Sequence, residues 1–191
     1  ANRIYVQEGI YAEFVARLTE EMGALKVGDA ILEQSQLGPM ITDKALAKVH
    51  NLVCDALDKG ATLNTGGKPL DRDGYFYPPT VISDVKPGSK ILNEEIFGPV
   101  AVVIPFNNEA EAVTMANDTE YGLVSYVFSQ DIGKCLRIAR QIESGMVGIN
   151  RGVVSDAAAP FGGAKQSGLG REGGRHGLME YVELKYIAVN W

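Results

Sequence analysis

The sequence predicts an α/β fold, a mostly parallel sheet with flanking helices. Three observations predict it. Strand-like runs alternate with helix-like runs along the chain. From Pro99 onward the order is strand, helix, strand, helix, strand, with helix lengths that suit right-handed crossovers. Residues 99–106 are nearly continuously apolar, the pattern of a strand covered on both faces.

The elements follow in order. Residues 3–7 are extended, rich in β-branched and aromatic side chains. Ile10, Phe14, Leu18 and Met22 recur at spacing four and mark one face of a helix. Gly28, Gly38 and Pro39 mark a loop. Thr42 is a predicted N-cap, with Ala45, Val49, Val53 and Leu57 on the face behind it and Gly60 as the stop. Residues 62–79 are turn-rich, with Gly66-Gly67 as a hairpin turn, and 77–82 read as strand. Asn108 caps a helix through Ala116, and residues 123–129 are strand. Asp131 caps a helix carrying Ile132, Cys135, Leu136 and Ala139 on one side. Residues 146–150 form a short strand and 177–181 a helical turn. Residues 182–189, with Val182, Leu184 and Tyr186 alternating against Glu183 and Lys185, predict a last strand that pairs outside this sheet.

Composition narrows the function. The chain has 191 residues, 46% apolar and 22% charged, within the globular range. Eighteen basic against 24 acidic residues give a net charge of −6. No Lys/Arg cluster offers nucleic acid a basic face. The longest clean apolar run, Val100 to Ile104, is far below the roughly 20 residues that cross a bilayer. Neither membrane nor nucleic acid is an expected partner. Two cysteines make no disulfide framework, so the expected compartment is the cytoplasm. The chain opens Ala1-Asn2-Arg3 with no initiator Met and runs at once into a strand, the pattern of a segment of something longer.

Glycine is enriched, and the excess crowds the stretch between Gly162 and Gly177. Gly168-Leu169-Gly170-Arg171-Glu172-Gly173 has the letters of a dinucleotide fingerprint. It neither follows a buried strand nor leaves room for the acidic residue beyond it, so a loop shaped by glycine is the better reading. Cys54 and Cys135 fall inside predicted helices, where a buried, inert thiol is usual. His50 and Cys54 are four apart, but no second pair completes a metal site. His176, the other histidine, is a surface residue beside Arg175 and Gly177. Asn93-Glu94-Glu95-Ile96-Phe97-Gly98-Pro99 places two carboxylates and an aromatic before a Gly-Pro break and a buried strand. From the residues alone this is a loop at a strand N-terminus with solvated glutamates.

Glu94-Glu95-Ile96-Phe97-Gly98-Pro99-Val100 resembles the signature loop of the aldehyde dehydrogenases. So do Asn117-Asp118-Thr119-Glu120-Tyr121-Gly122-Leu123, Gly148-Ile149-Asn150, and the glycine-rich segment from Pro160-Phe161-Gly162-Gly163 to Gly173. The four motifs stand in the family's order, and the resemblance covers essentially the whole chain. Gly152-Val153-Val154-Ser155 and Glu180-Tyr181-Val182-Glu183-Leu184-Lys185-Tyr186 are similar to the succinate-semialdehyde branch.

The resemblance implies a specific chemistry. A cysteine thiolate attacks the aldehyde, hydride leaves to NAD or NADP, and water hydrolyses the thioester. Glu95 would hold the hydroxyls of the nicotinamide ribose, and Phe97 would pack near the nicotinamide. Phe161 would line the aldehyde passage. Ser155 would donate to the substrate's distal carboxylate, a task that normally needs an arginine beside it; Arg151 is near in sequence but has no assigned part. The nucleophile, expected a few residues before Asn2-Arg3, the general base and the cofactor-binding domain all match sequence upstream of Ala1. No catalytic residue and no metal ligand is therefore expected in the chain. The implied organisation is a C-terminal part of the catalytic domain over 1–174, then a helical turn and oligomerisation strand over 175–191. The implied partners are an aldehyde, the N-terminal cofactor-binding part and further copies of the chain. Asp156-Ala157-Ala158-Ala159 is smaller than the family pattern before Pro-Phe-Gly-Gly, which leaves open another ω-semialdehyde or a simple aldehyde. A non-catalytic assembly module is the remaining alternative.

Overall fold

The computed structural model describes residues 1–32 and 34–191. It divides into two compact units, 1–108 and 109–191. The first is built on a four-stranded sheet of order β1-β4-β3-β2. Its strands are β1 (Ile4–Gln7), β2 (Thr62–Thr65), β3 (Thr80–Ser83) and β4 (Val100–Phe106). β4 runs parallel to both β1 and β3, and β2 pairs antiparallel at the edge. β3 is buried throughout and β4 over its first five residues, as their apolar runs require.

Two helices cover this sheet and its approaches. α1 (Glu8–Gly23) packs Tyr11, Phe14, Val15, Leu18 and Met22 on Val6, Val81, Ala101 and Val103. The spacing-four row was off at one end: Ile10 faces solvent. Four residues turn a helix by about 40° more than a full circle, so a strict row of fours spirals off the buried face. The same drift corrects α2 (Asp43–Asp58), whose buried residues are Val49, Leu52, Val53 and Ala56 rather than a row from Ala45 to Leu57. Thr42 caps α2 as its type demands, accepting from the Ala45 N–H at 3.1 Å, and Gly60 ends it at φ 91°. β3 starts at Thr80, later than the periodicity suggests, because Pro78 and Pro79 have no N–H to give a ladder. Gly66-Gly67 is not a two-residue hairpin turn. Both residues take positive φ, but they open a longer connection between β2 and β3.

The second unit contains α3 (Glu109–Asn117) and a parallel pair, β6 (Val124–Val127) and β7 (Met146–Ile149), joined by α4 (Ile132–Gln141). β5 (Tyr121–Gly122) pairs antiparallel with β8 (Ala164–Lys165), and α5 (Gly174–Met179) follows. Asp131 caps α4 through the Lys134 N–H at 3.0 Å, as its position predicts. The strands from Pro99 onward do not share one sheet: β4 pairs with β1 and β3, β6 with β7. Residues 182–189 are not a strand in the single chain. An edge with no neighbour has no ladder to form, and Leu184, Tyr186 and Trp191 stand in solvent. Among the described residues no helix is long and apolar enough to cross a membrane.

Candidate active site

Glu95 and Phe97 share one loop in the first unit, between a single 3₁₀ turn (Lys90–Leu92) and β4. The turn is anchored from α2. The Asp55 carboxylate accepts from the Lys90 N–H at 2.8 Å and from the Lys59 ammonium at 2.7 Å, and Lys59 also donates to the Gly88 carbonyl. Hydrogen bonding from Lys59, then from the Lys90 N–H, holds the Asp55 carboxyl below the ordinary carboxylate value. Across the turn and the loop after it the Asn2 carboxamide donates to the Ile91 and Glu94 carbonyls at 3.2 and 3.0 Å and accepts from the Ile96 N–H at 2.9 Å. Lys48 donates to the Glu95 carbonyl at 2.6 Å.

This framing sorts the side chains. Ile96 is 3% exposed and anchors the loop, whereas Phe97 is 77% exposed. Phe97 takes φ 48°, a left-handed backbone that costs a bulky residue about 1–3 kcal/mol and recurs at ligand sites. Glu95 is exposed beside it. Gly98 lets the chain pass α2 closely, since a Cβ there would meet Val49 Cγ2 at 2.6 Å. An exposed carboxylate is an acceptor only and suits a vicinal diol that donates; an exposed aromatic ring on the same loop suits a flat heterocycle.

Ser155 and Phe161 share a loop of the second unit, between β7 and β8. Ser155 is exposed and Phe161 half-buried. Phe161 is fixed by a two-way backbone pair with Glu172, at 2.7 and 2.8 Å. The Arg171 guanidinium donates to the Gly163 and Gly170 carbonyls at 2.8 and 2.6 Å, closing the glycine-rich loop on itself. Here the crowding of glycines has its reason: a Cβ on Gly162 would meet the Gly170 carbonyl at 2.6 Å, and Gly173 sits at φ 73° against the Ala159 carbonyl. Gly168 to Gly173 is loop, as expected, rather than a phosphate cradle opening from a long strand. Arg151 donates to the Val153 carbonyl at 2.5 Å, so it braces its own turn.

The other motif residues are structural. Asn117 donates to the Gln141 carbonyl and accepts from the Glu143 N–H, both at 2.8 Å. Asn150 bridges Ser129 in the same two-way manner at 2.9 Å. Lys165 holds the Asn117 and Thr119 carbonyls and pairs with Glu143 at 2.6 Å. Cys135 is buried in α4. Cys54 is half-buried in α2 with its Sγ 3.6 Å from His50 Nε2, and His50 Nδ1 lies 3.5 Å from the hydroxyl of buried Tyr77, whose phenol burial pushes up. Among the described residues no three His, Cys, Asp or Glu side chains gather as a metal site. Sequence reasoning missed Asn2 and Lys48. The available signal was an asparagine directly before a strand, where it serves no turn or helix cap.

These motifs have counterparts in known proteins. The aldehyde dehydrogenase family model matches residues 1–187. The chain is 51% identical over 189 residues to a succinate-semialdehyde dehydrogenase of Paenarthrobacter nicotinovorans, covering 99% of this chain and 42% of that protein. It is 46% identical over 189 residues to a glutarate-semialdehyde dehydrogenase of Pseudomonas aeruginosa, covering 99% of this chain and 39% of that one. The crystal structure of an NADP-dependent Escherichia coli enzyme superposes with a TM-score of 0.96 at 44% identity, over 100% of this chain and 40% of its own. The chain spans about 40% of the length of the proteins it matches. With a family model that matches all but the last four residues, the chain belongs to the aldehyde dehydrogenase family.

Proposed function

We propose that this chain supplies the nicotinamide-facing and substrate-facing loops of an NAD(P)-dependent dehydrogenase that oxidises succinic semialdehyde to succinate. The observation that carries the reading is the 93–97 loop, where anchored Ile96 turns exposed Phe97 outward on a left-handed backbone beside the exposed Glu95 carboxylate. In this reading Glu95 accepts hydrogen bonds from both ribose hydroxyls, and Phe97 packs against the nicotinamide. When bound, NAD or NADP takes the hydride from the aldehyde carbon. Phe161 lines the aldehyde passage and the Ser155 hydroxyl donates to the distal carboxylate. The thiolate that forms the thiohemiacetal, and the general base that activates water for the thioester, belong to the rest of the full-length enzyme. Cys54 and Cys135 sit within helices, so the 191-residue chain by itself oxidises no aldehyde; purified chain producing no NAD(P)H checks this. The glutarate-semialdehyde relative favours a second reading in which the substrate is a longer ω-semialdehyde.

Glu95→Gln in the full-length enzyme tests the cofactor contact. It keeps the shape and loses the charge-assisted bonds, each worth about 1.5–3 kcal/mol. Hydride transfer should slow by roughly 10- to 150-fold with the aldehyde KM little changed. Unchanged hydride transfer would remove Glu95 from the site.

A further inference from the structure

Asn2 makes hydrogen bonds with residues 89 to 94 positions away in sequence, and all go to the backbone of one loop. The 3₁₀ turn ends with the Asn93 and Glu94 N–H groups both on the Lys90 carbonyl, so the Ile91 and Glu94 carbonyls need donors from elsewhere. The carboxamide has two N–H donors and one carbonyl acceptor, and the loop presents two acceptors and one donor. Only one orientation of the amide satisfies all three, since the flipped one would set its NH₂ against the Ile96 N–H. Lys48 holds the Glu95 carbonyl from α2.

We infer that Asn2 is a positioning residue for the cofactor contact: with Lys48 it pins the two peptide groups that flank Glu95. The Glu94 carbonyl belongs to the peptide before Glu95; the Glu95 carbonyl and the Ile96 N–H belong to the one after it. With both planes held, φ and ψ of Glu95 are fixed, and the aim of its carboxylate depends on side-chain torsions alone. The same anchors set the peptide that leads into Phe97. Neither Asn2 nor Lys48 needs to touch the cofactor for this. The inference rests on the proposed reading of Glu95 as the ribose contact.

The test uses the full-length enzyme with Asn2→Ala, Asn2→Asp and, in parallel, Glu95→Gln. The readouts are the KM values for NAD(P) and aldehyde, and hydrogen exchange at the Ile96 amide. Asn2→Ala removes all three bonds. The cofactor KM should rise about 5- to 30-fold, the aldehyde KM should stay within about twofold, and the Ile96 amide should exchange faster by a similar factor. Asn2→Asp keeps an acceptor for Ile96 but turns a carboxylate oxygen toward two carbonyls. Protection at Ile96 should persist while the cofactor KM still rises. If Glu95→Gln impairs cofactor use and neither Asn2 variant moves the cofactor KM, the positioning role is overturned and the cofactor reading stands. If Glu95→Gln leaves cofactor use unchanged, that reading falls and the inference with it. Should Asn2→Ala fail to fold, Asn2→Asp decides, and an unchanged cofactor KM overturns the inference.

Discussion

Three asparagines, Asn2, Asn117 and Asn150, each use one carboxamide to hold two or more backbone groups far away in sequence. Their contribution is geometric: each fixes a loop that carries a motif. The cofactor roles proposed for Glu95 and Phe97 come through the resemblance; from the residues alone the glutamates read as solvated, and exposure of Glu95 suits either reading. Phe97 also takes a left-handed backbone, and no sequence pattern announces a positive φ on a phenylalanine. Asn2 was illegible because its partners lie some ninety residues away. Ser155 stands on an exposed loop, and its proposed role depends on the substrate's far end. In the full-length enzyme Ser155→Ala should lower kcat/KM for succinic semialdehyde by roughly 5- to 150-fold, the effect of about 1–3 kcal/mol for an unpaired carboxylate, and leave butanal unchanged. Equal losses on both substrates would make Ser155 a loop support.

Helices and strands were legible at the level of the element because a core face imposes a period. The misplacements have physical causes: the drift of a row of fours in α1 and α2, and prolines that delay β3. The link from α2 to the turn before the 93–97 loop is electrostatic and titrates. Asp55 has a lowered pKa in the fold, so its stabilising contacts are complete above the ordinary carboxylate pKa of about 3.9 and are lost as pH falls through the lower folded value. Asp55→Asn carries no such titration. Amide exchange at Lys90, corrected for intrinsic rate, should accelerate on acidification below about pH 4 in the native chain. The Asp55→Asn chain should show little pH dependence at that amide, and the same acceleration in both would exclude Asp55 as its source.

At the scale of the whole molecule the tail is the segment whose proposed pairing lies outside the single chain. Residues 182–189 alternate like a strand yet form none alone, and Tyr181, Leu184, Tyr186 and Trp191 face solvent. A strand needs a partner, and a second copy of the chain is the proposed one. The chain should self-associate in sedimentation at tens of micromolar, and removal of residues 182–191 should shift it toward monomer. A clean monomer before and after removal would rule out that role for the tail.

The proposed enzyme reads an aldehyde by the anionic group at its far end. The most direct measurement is the rate of NAD(P)H formation by the full-length enzyme on succinic semialdehyde and on butanal, which has the same carbon count and no carboxylate. A carboxylate paired in the site is worth about 1–3 kcal/mol, so kcat/KM should favour succinic semialdehyde by roughly 5- to 150-fold. An equal or higher kcat/KM for butanal would overturn the semialdehyde reading and leave an aldehyde dehydrogenase that does not read the far end of its substrate.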